Sequence, residues 1–305
     1  MRKLRYVPQP RTLVSITNRT IQGRYLLTPA ASFNDLFLGI LGRTQRIHEM
    51  EIAAATVLSN HFHILLIVDD AKAVADFMRD LQSKAAREVN RLTGWKGPVF
   101  ERRYDMTVVT NEEGAQVERL KYVLGNGVKE NLVERVCEWP GVHSAEALMH
   151  GTPLQGHWFD RTRQYAARNQ GEELRQDQYV FAESVVLSPI SCWADLPADR
   201  YRERIKSLVE QVDAEAAQAR HQSGASVLGV KAILAQDTLT RPESVPRSPA
   251  PSVHAATKAA RKMFYAIYAE FVSAFRAAAE ALRQGHRDVS FPAGSFPPAL
   301  PFVPS

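Results

Sequence analysis

The segment at residues 57–68, which reads VLSNHFHILLIV, constrains the fold of this chain more than any other. From Ile64 onward every position is apolar, and the run stops at Asp69-Asp70. Successive side chains of a strand point to opposite faces of a sheet, so an uninterrupted apolar run predicts a strand that is buried on both faces. We therefore expect a sheet in which this strand is central and both faces are covered.

Strand and helix patterns alternate around this segment. Residues 32–47 and 71–92 carry apolar side chains at helical spacing. The full predicted order is two short β segments within 11–28, a helix over 32–47, two strands within 49–68, a helix over 71–92, a strand over 99–109 and a helix over 112–125. Strands and helices in this order are typical of an α+β sheet with helices packed on it.

The character of the chain changes near residue 150. Residues 151–200 are irregular with scattered aromatic side chains, whereas 198–222 and 253–284 have helical patterns. Between these two helices, residues 241–252 contain four prolines and read as a linker or an extended segment. We expect a mainly helical, partly irregular C-terminal region.

Composition limits the class of protein. The chain has 305 residues, of which 45% are hydrophobic and 23% charged, as in globular proteins. Cys137 and Cys192 are its two cysteines, too few for a disulfide framework or a four-cysteine zinc site. No apolar run reaches the roughly 18 to 20 residues that span a bilayer, and no signal-peptide pattern follows the basic N-terminus. These features predict a soluble cytoplasmic protein with free thiols.

Basic residues are concentrated at the N-terminus. The formal net charge is +5, and residues 1–30 contain six basic residues without any Asp or Glu. Those six are Arg2, Lys3, Arg5, Arg11, Arg19 and Arg24. Clustered cations gain affinity for nucleic acid by releasing its counterions, so this cluster is a candidate DNA-binding surface. The alternative is a basic arm that is only solvated.

Two histidines lie at positions i and i+2 of the central strand. His61 and His63 would stand side by side on one face, with Phe62 on the other. Adjacent imidazoles can chelate one divalent metal ion, and burying them without partners would cost several kcal/mol. The motif therefore indicates a metal site, with chance spacing as the alternative.

Tyr122 and Asn126 are the polar candidates on the third helix. Tyr122 lies off the apolar stripe, and Asn126 follows one turn later on the same side. The stripe consists of Val117, Leu120, Val123 and Leu124. An amide oxygen is a ligand suited to Mg²⁺ or Mn²⁺. The alternatives are packing of Tyr122 against a second layer and capping of the helix by Asn126, which Gly127 favours.

These motifs together resemble the single-tyrosine transposases of the HUH endonuclease superfamily, in particular the REP-associated tyrosine transposases. The shared features are a basic N-terminal β-hairpin, the His-hydrophobe-His strand, the stretch GPVFERRYDMTVV and the helix that runs into KYVLGNGVKENLV. The family helix commonly reads Y-I-x-x-N-P-V-R-A-G-L-V. Positions in step with it are Tyr122, Val123, Asn126, Val128, Lys129, Leu132 and Val133, and its proline is Gly127 here. The resemblance covers roughly residues 8–147.

The resemblance implies a ferredoxin-like α+β catalytic domain with a central antiparallel sheet at residues 1–147, followed by a C-terminal extension at 148–305. It implies that His61, His63 and Asn126 bind Mg²⁺ or Mn²⁺. It also implies that Tyr122 attacks a phosphodiester of single-stranded or hairpin DNA and forms a 5′-phosphotyrosine intermediate, which is the chemistry of a DNA transposase. Both a monomer and a homodimer are compatible with the sequence.

Two other functions remain open from the sequence. One is a domesticated protein that binds hairpin DNA but no longer transposes it. The other is a structural protein in which the histidine pair holds zinc. The first leaves both histidines, Tyr122 and Asn126 without a purpose, and the second leaves Tyr122 and the basic N-terminus unexplained.

Overall fold

The structure, a computed structural model, describes residues 4–171, 175–243 and 251–296. The strands within these ranges are β1 (Thr12–Arg19), β2 (Glu51–Leu58), β3 (His61–Val68), β4 (Asp105–Val109), β5 (Leu154–Phe159), β6 (Val180–Val185) and β7 (Val253–His254). The α-helices are α1 (Ala31–His48), α2 (Ala71–Thr93), α3 (Glu113–Leu124), α4 (Asn126–Lys129), α5 (Ala145–His150), α6 (Arg161–Asn169), α7 (Ala198–Ser223), α8 (Val230–Leu234) and α9 (Lys258–Arg283).

The first four strands and first two helices form a ferredoxin-like unit. They follow one another as β1-α1-β2-β3-α2-β4, and the sheet order is β2-β3-β1-β4-β7. Neighbouring strands among the first four are antiparallel, whereas β7 pairs parallel to β4. The predicted α+β fold with a central antiparallel sheet is confirmed.

Different helices cover the two faces of the sheet. Phe62 and Ile64 of β3 belong to the core that also contains the buried side chains of α1 and α2, and we call this side the apolar face. Leu65 and Ile67 belong to a second core with α3 and α7, and we call that side the α3 face. Strand β3 lies between β2 and β1 and is buried from Phe62 to its end. The predicted central strand is confirmed.

The C-terminal half packs on both sides of this unit. Strands β5 and β6 form a two-stranded sheet against α1, where a Cβ at Gly39 would overlap the backbone of His157. On the other side α7 joins the core of the α3 face. Helix α9 lies near the N-terminal segment, with the rings of Phe271 and Tyr6 4.4 Å apart.

Among the described residues, no helix is long and apolar enough to cross a membrane.

Three parts of the secondary-structure prediction are wrong. A single strand, β1, replaces the two β segments expected within 11–28, because the chain turns at Gln22 and Gly23, which both have positive φ. Residues 151–200, expected to be irregular, contain β5, α6 and β6. The last helix begins at Lys258 rather than at 253, because Val253 and His254 pair with β4 instead. Residues 244–250 of the proline-rich linker lie outside the described residues.

Candidate active site

The histidine pair lies at the N-terminal end of β3, on the α3 face. The rings of His61 and His63 are 5.0 Å apart between centroids and nearly perpendicular. His63 pairs directly with Thr17 of β1 and with Thr56 of β2, so a polar row crosses three strands at this point. The alternation of the strand thus brings the two imidazoles together, as their spacing predicts.

Each imidazole has a hydrogen-bond partner at Nδ1. Asn60 Oδ1 lies 2.6 Å from His61 Nδ1, and Thr17 Oγ1 lies 2.9 Å from His63 Nδ1. An amide oxygen can only accept, so the His61 Nδ1 carries the proton and its Nε2 keeps a lone pair. A threonine hydroxyl can accept in the same way from His63. This arrangement, with Nδ1–H bonded to an oxygen and Nε2 available, is typical of metal-binding histidines.

Burial keeps both imidazoles neutral near pH 7. Together with the positive charge of the nearby Arg19, burial lowers the pKa of His61 to about 4. Burial also lowers the pKa of His63 well below its usual value, and so do repulsion from a protonated His61 and the positive charges of Arg119 and Arg19. The His63 Nε2 is buried and has no hydrogen-bond partner among the described residues. A buried nitrogen of this kind is unfavourable unless a ligand satisfies it.

Tyr122 reaches the histidine pair from α3. Its ring and that of His63 meet edge to face, with centroids 5.4 Å apart. The helix is fixed to the sheet next to this contact, because the Thr56 hydroxyl donates to the Val123 carbonyl at 2.9 Å. The partly buried position of Tyr122 on the side of α3 that faces the polar row explains why it falls off the apolar stripe.

Two cations flank the Tyr122 ring. The Arg119 guanidinium carbon lies 4.4 Å from its centroid, and the Lys129 ammonium nitrogen lies 4.9 Å from it. Burial lowers the pKa of Arg119, and its Nε is buried without a hydrogen-bond partner among the described residues. An anionic ligand would supply the hydrogen bonds and the opposite charge that this buried cation lacks, so the arrangement indicates a position for an anion.

Asn126 lies at the junction of α3 and α4 and is buried, with 2% of its surface exposed. Its Nδ2 donates to the Tyr122 carbonyl at 2.9 Å and to the Val123 carbonyl at 3.4 Å. These bonds fix the amide to the turn that carries Tyr122, and they use its nitrogen rather than its oxygen. Gly125 occupies the C-cap position of α3, and the Asn126 amide satisfies two carbonyls of its last turn, so the capping alternative stays open beside the role of metal ligand.

His143 fixes the end of the tyrosine helix. The Ala145 amide donates to its Nδ1 at 3.1 Å, so Nε2 carries the proton and donates to the Leu124 carbonyl at 3.1 Å. Burial lowers the pKa of His143 to about 4. The neutral ring therefore satisfies one of the last carbonyls of α3 and connects that helix to the segment just before α5.

The basic N-terminal residues do not form one surface. Arg19 lies directly opposite His61 in the β1–β3 pairing. Arg11 precedes Thr12, which pairs with Val68 at the far end of the same strands. At that end the Arg11 guanidinium forms a bidentate ion pair with the Glu51 carboxylate, with nitrogen–oxygen distances of 2.6 and 3.1 Å.

The other basic residues have separate environments. The Arg24 guanidinium lies over the Trp95 ring at 4.9 Å and donates to the Leu239 carbonyl. Arg5 lies over the Tyr104 ring at 4.2 Å. Arg2 and Lys3 lie outside the described residues.

Sequence reasoning did not single out Arg119, Lys129 and His143. Arg119 precedes Tyr122 by three residues, and that spacing places the two side chains on one side of a helix. Lys129 was aligned only as a motif position. Its place over Tyr122 depends on the bend between α3 and α4. His143 approaches from a separate segment, and local spacing carries no signal for it.

The donor set fits a divalent metal ion. It would consist of the Nε2 atoms of His61 and His63 and the amide oxygen of Asn126, and the unpartnered His63 Nε2 is the observation that favours it. No group of three or more His, Cys, Asp or Glu side chains that could hold a metal ion occurs in the described part of the chain. Any metal site built on this pair therefore needs an amide, water or substrate oxygen to complete it.

Comparison with known proteins gives one family match. The family model described as "Transposase IS200 like" matches residues 24–124, which include His61, His63 and Tyr122. No curated protein sequence matches the chain.

Solved structures that are similar to parts of the chain include the following three. A REP-associated tyrosine transposase bound to a REP hairpin has 17% identity and a TM-score of 0.40, and the match covers 49% of this chain and 85% of that one. A transposase described as putative from Deinococcus radiodurans R1 has 21% identity and a TM-score of 0.28, covering 39% and 95%. A bacterial tRNA(His) guanylyltransferase-like protein in complex with ATP has 9% identity and a TM-score of 0.33, covering 67% and 92%.

Proposed function

The chain belongs, through residues 24–124, to the IS200-like transposase family, and we propose that it cleaves and rejoins single-stranded or hairpin DNA with Tyr122 as the nucleophile. The observation that carries the proposal is the contact of Tyr122 with the histidine pair, at 5.4 Å between the ring centroids of Tyr122 and His63. A nucleophile next to a metal-binding pair is the minimum that phosphodiester transfer needs.

In the proposed reaction the Tyr122 oxygen attacks the phosphorus and its proton passes to water. The bond from phosphorus to the 3′ oxygen breaks, and that oxygen leaves as a 3′-hydroxyl after taking up a proton. The 5′-phosphate remains on Tyr122. Attack by the 3′-hydroxyl of another DNA end reverses the step and releases the tyrosine, so rejoining needs no external energy source.

The side chains around Tyr122 would have separate roles. His61, His63 and Asn126 would hold Mg²⁺ or Mn²⁺, which when bound withdraws charge from the phosphate and orients it. Arg119 and Lys129, over the Tyr122 ring, would attract the phosphate and offset the negative charge that develops there.

The residues behind these groups would maintain the geometry. Asn60 and Thr17 would hold the two imidazoles with Nε2 toward the site. Thr56 and His143 would fix the end of α3 and with it the position of Tyr122.

We also propose that residues 1–147 are the catalytic domain and that 148–305 support it. All of the proposed ligands and the nucleophile lie before residue 130, and α7 is packed on the helix that carries Tyr122. The proline-rich linker assigned to 241–252 would connect parts of the C-terminal region.

The test is covalent capture of DNA. A labelled hairpin oligonucleotide with a single-stranded flank is incubated with the full chain and Mg²⁺, Mn²⁺ or EDTA, and adducts are resolved under denaturing conditions. We expect an adduct and a free 3′-hydroxyl with metal, and neither with EDTA. Tyr122→Phe should lose both, because only the attacking oxygen is removed.

Tyr104→Phe is the matched control. Tyr104 is buried, and its hydroxyl has no hydrogen-bond partner among the described residues, so its removal should not lower stability and should leave cleavage unchanged. DNA binding without any adduct in the wild-type chain would favour the domesticated binding protein. Zinc-dependent folding without DNA binding would favour the structural metal protein. An adduct that survives in Tyr122→Phe would disprove the assignment of the nucleophile.

A further inference from the structure

We propose that the pocket between α3–α4 and α7 binds one nucleotide of the cleaved strand, next to the phosphate that Tyr122 attacks. This inference rests on the proposed function, because it takes Tyr122 to be the point of attachment. It adds a part of the site that the C-terminal half builds, since α7 lies outside the segment that matches the transposase family.

The pocket shares a wall with the proposed metal site. It has a volume of about 340 Å³, within the range of small-ligand sites. Tyr122 and Lys129 line one side, and Val212, Ala216 and Arg220 of α7 line the other. The Tyr122 ring also contacts His63, so a strand joined to Tyr122 through its phosphate has this pocket within one nucleotide of the attachment point.

The lining suits a nucleotide rather than a bare anion. Val212, Ala216 and Ala219 provide an apolar surface against which a base can pack, while Lys129 and Arg220 provide positive charge for a phosphate. Glu118 and Glu215 also line the pocket, and carboxylates accept hydrogen bonds from the amino groups of bases but repel a free phosphate.

Arg220 gives a second indication of a ligand. Its Nη2 donates to the Glu134 carbonyl at 3.0 Å, whereas its Nη1 is buried and without a hydrogen-bond partner in the described part of the chain. A guanidinium nitrogen in this state lacks bonds that a phosphate or a base oxygen would supply.

Several contacts hold α7 in place and keep the pocket formed without a ligand. Lys121 of α3 forms a 2.6 Å ion pair with Glu215, and Asp213 accepts from the Val136 amide at 2.8 Å. Gly125 allows the close approach, because a Cβ there would lie 3.2 Å from a methyl group of Val212. A preformed pocket binds its ligand without first ordering the chain.

The first experiment measures binding without catalysis. The full chain is titrated with each of the four deoxynucleoside 5′-monophosphates by calorimetry, in EDTA. We expect binding to the wild-type chain and to Tyr122→Phe, and at least about tenfold weaker binding to Ala216→Trp, in which the indole fills the pocket.

Ala217→Trp is the matched control, because Ala217 is exposed on the same helix and does not line the pocket. Equal affinity of Ala216→Trp and the wild-type chain, or no binding to the wild-type chain, would overturn the proposal. If Ala216→Trp does not fold, as judged by circular dichroism, Arg220→Gln takes its place and should weaken binding by removing the charge.

The second experiment separates failure of this inference from failure of the proposed function. Abasic sites are placed one at a time in the strand near the cleavage position, and the rate of Tyr122 adduct formation is measured. An abasic site at one position adjoining the cleaved phosphate should slow adduct formation by the wild-type chain. The same abasic site should cause no additional slowing in Ala216→Trp. Adduct formation that is insensitive to every abasic position refutes the pocket while leaving the nucleophile intact. The absence of any adduct in the wild-type chain refutes the proposed function, and the calorimetric result then decides the pocket alone.

Discussion

The two faces of strand β3 are both buried, but they differ in whether their side chains find the contacts they need: packing for apolar groups and hydrogen bonds for polar ones. On the apolar face, Phe62 is fully buried and its ring lies 6.1 Å from that of Phe37 and 5.7 Å from that of Phe100. One residue along, on the α3 face, His63 is 3% exposed and has a nitrogen without a partner among the described residues. The hydroxyl of Ser15 on the same face also lacks one.

This difference separates what stabilises the fold from what the site does. A well-packed aromatic residue contributes to the free energy of folding, whereas a buried unsatisfied polar group opposes it. Proteins break local rules of this kind at functional sites, where a ligand supplies the missing interaction. We therefore expect substitutions on the apolar face to change stability and those at the polar end of the α3 face to change chemistry.

The largest expected effect is on metal binding. His61→Ala combined with His63→Ala should abolish the Mn²⁺ binding that calorimetry detects in the wild-type chain, because two of three proposed ligands are lost. The free energy of unfolding without metal should fall by no more than about 1 kcal/mol, since the buried His63 ring already has a nitrogen without a partner among the described residues. Mn²⁺ binding of wild-type strength in the double variant would contradict the ligand assignment.

Phe62→Ala should produce the opposite result. Removing a fully buried phenyl group from the apolar face should lower the free energy of unfolding by about 3–5 kcal/mol, measured by urea denaturation. The folded fraction should still bind Mn²⁺ with the wild-type affinity, because both imidazoles point to the other face. Loss of Mn²⁺ affinity at a temperature where the variant is folded would mean that the two faces are coupled.

Sequence periodicity was sufficient to predict the apolar face but only part of the α3 face. The central strand and the helices α1, α2 and α3 follow from apolar spacing, because burial imposes it locally. The histidine pair follows from the strand period in the same way. Whether a buried polar atom lacks a partner depends on the whole fold, however. The Arg119 Nε, which has no partner within the described part of the chain, therefore has no signature in the sequence.

Long-range contacts explain the other missed features. Arg11 was predicted to contact DNA, although it pairs with Glu51, forty residues away in the chain. The β5–β6 sheet was missed because Gly156, which looks like a strand breaker, is needed where β5 meets the backbone of α1. The ion pair and the close approach exist only after the chain has folded.

A smaller effect should distinguish the two ends of strand β1. Arg19 lies beside the histidine pair, so Arg19→Gln should remove about one phosphate contact and reduce the slope of log affinity against log salt by about 0.7 for single-stranded DNA. Arg11→Gln is the internal control, because Arg11 lies at the far end of the strand in an ion pair with Glu51. Fluorescence anisotropy at several salt concentrations gives both slopes. Equal slopes for Arg19→Gln and the wild-type chain would exclude Arg19 from the DNA surface.

The smallest expected effect concerns the outer layer of the apolar face, where Glu183 of β6 holds the β5–β6 sheet to α1. Burial alone would raise the pKa of Glu183, but the hydrogen bonds and charges of Arg46 and Arg43 outweigh it and lower the pKa below the usual value for glutamate. A carboxyl group with a lowered pKa in the folded state stabilises the protein above its unfolded-state pKa, and this contribution is lost as the pH falls through the folded-state value.

Glu183→Gln should therefore lower the free energy of unfolding by about 1 kcal/mol at pH 7. The difference from the wild-type chain should shrink in thermal melts as the pH falls below about 4.5. Glu210→Gln, at an exposed position of α7, should show no such difference at any pH. Adduct formation at pH 7 should be the same in all three proteins, because the ion pair lies on the side of the sheet away from Tyr122. A loss of adduct in Glu183→Gln without unfolding would show that the apolar face also sets the geometry of the site.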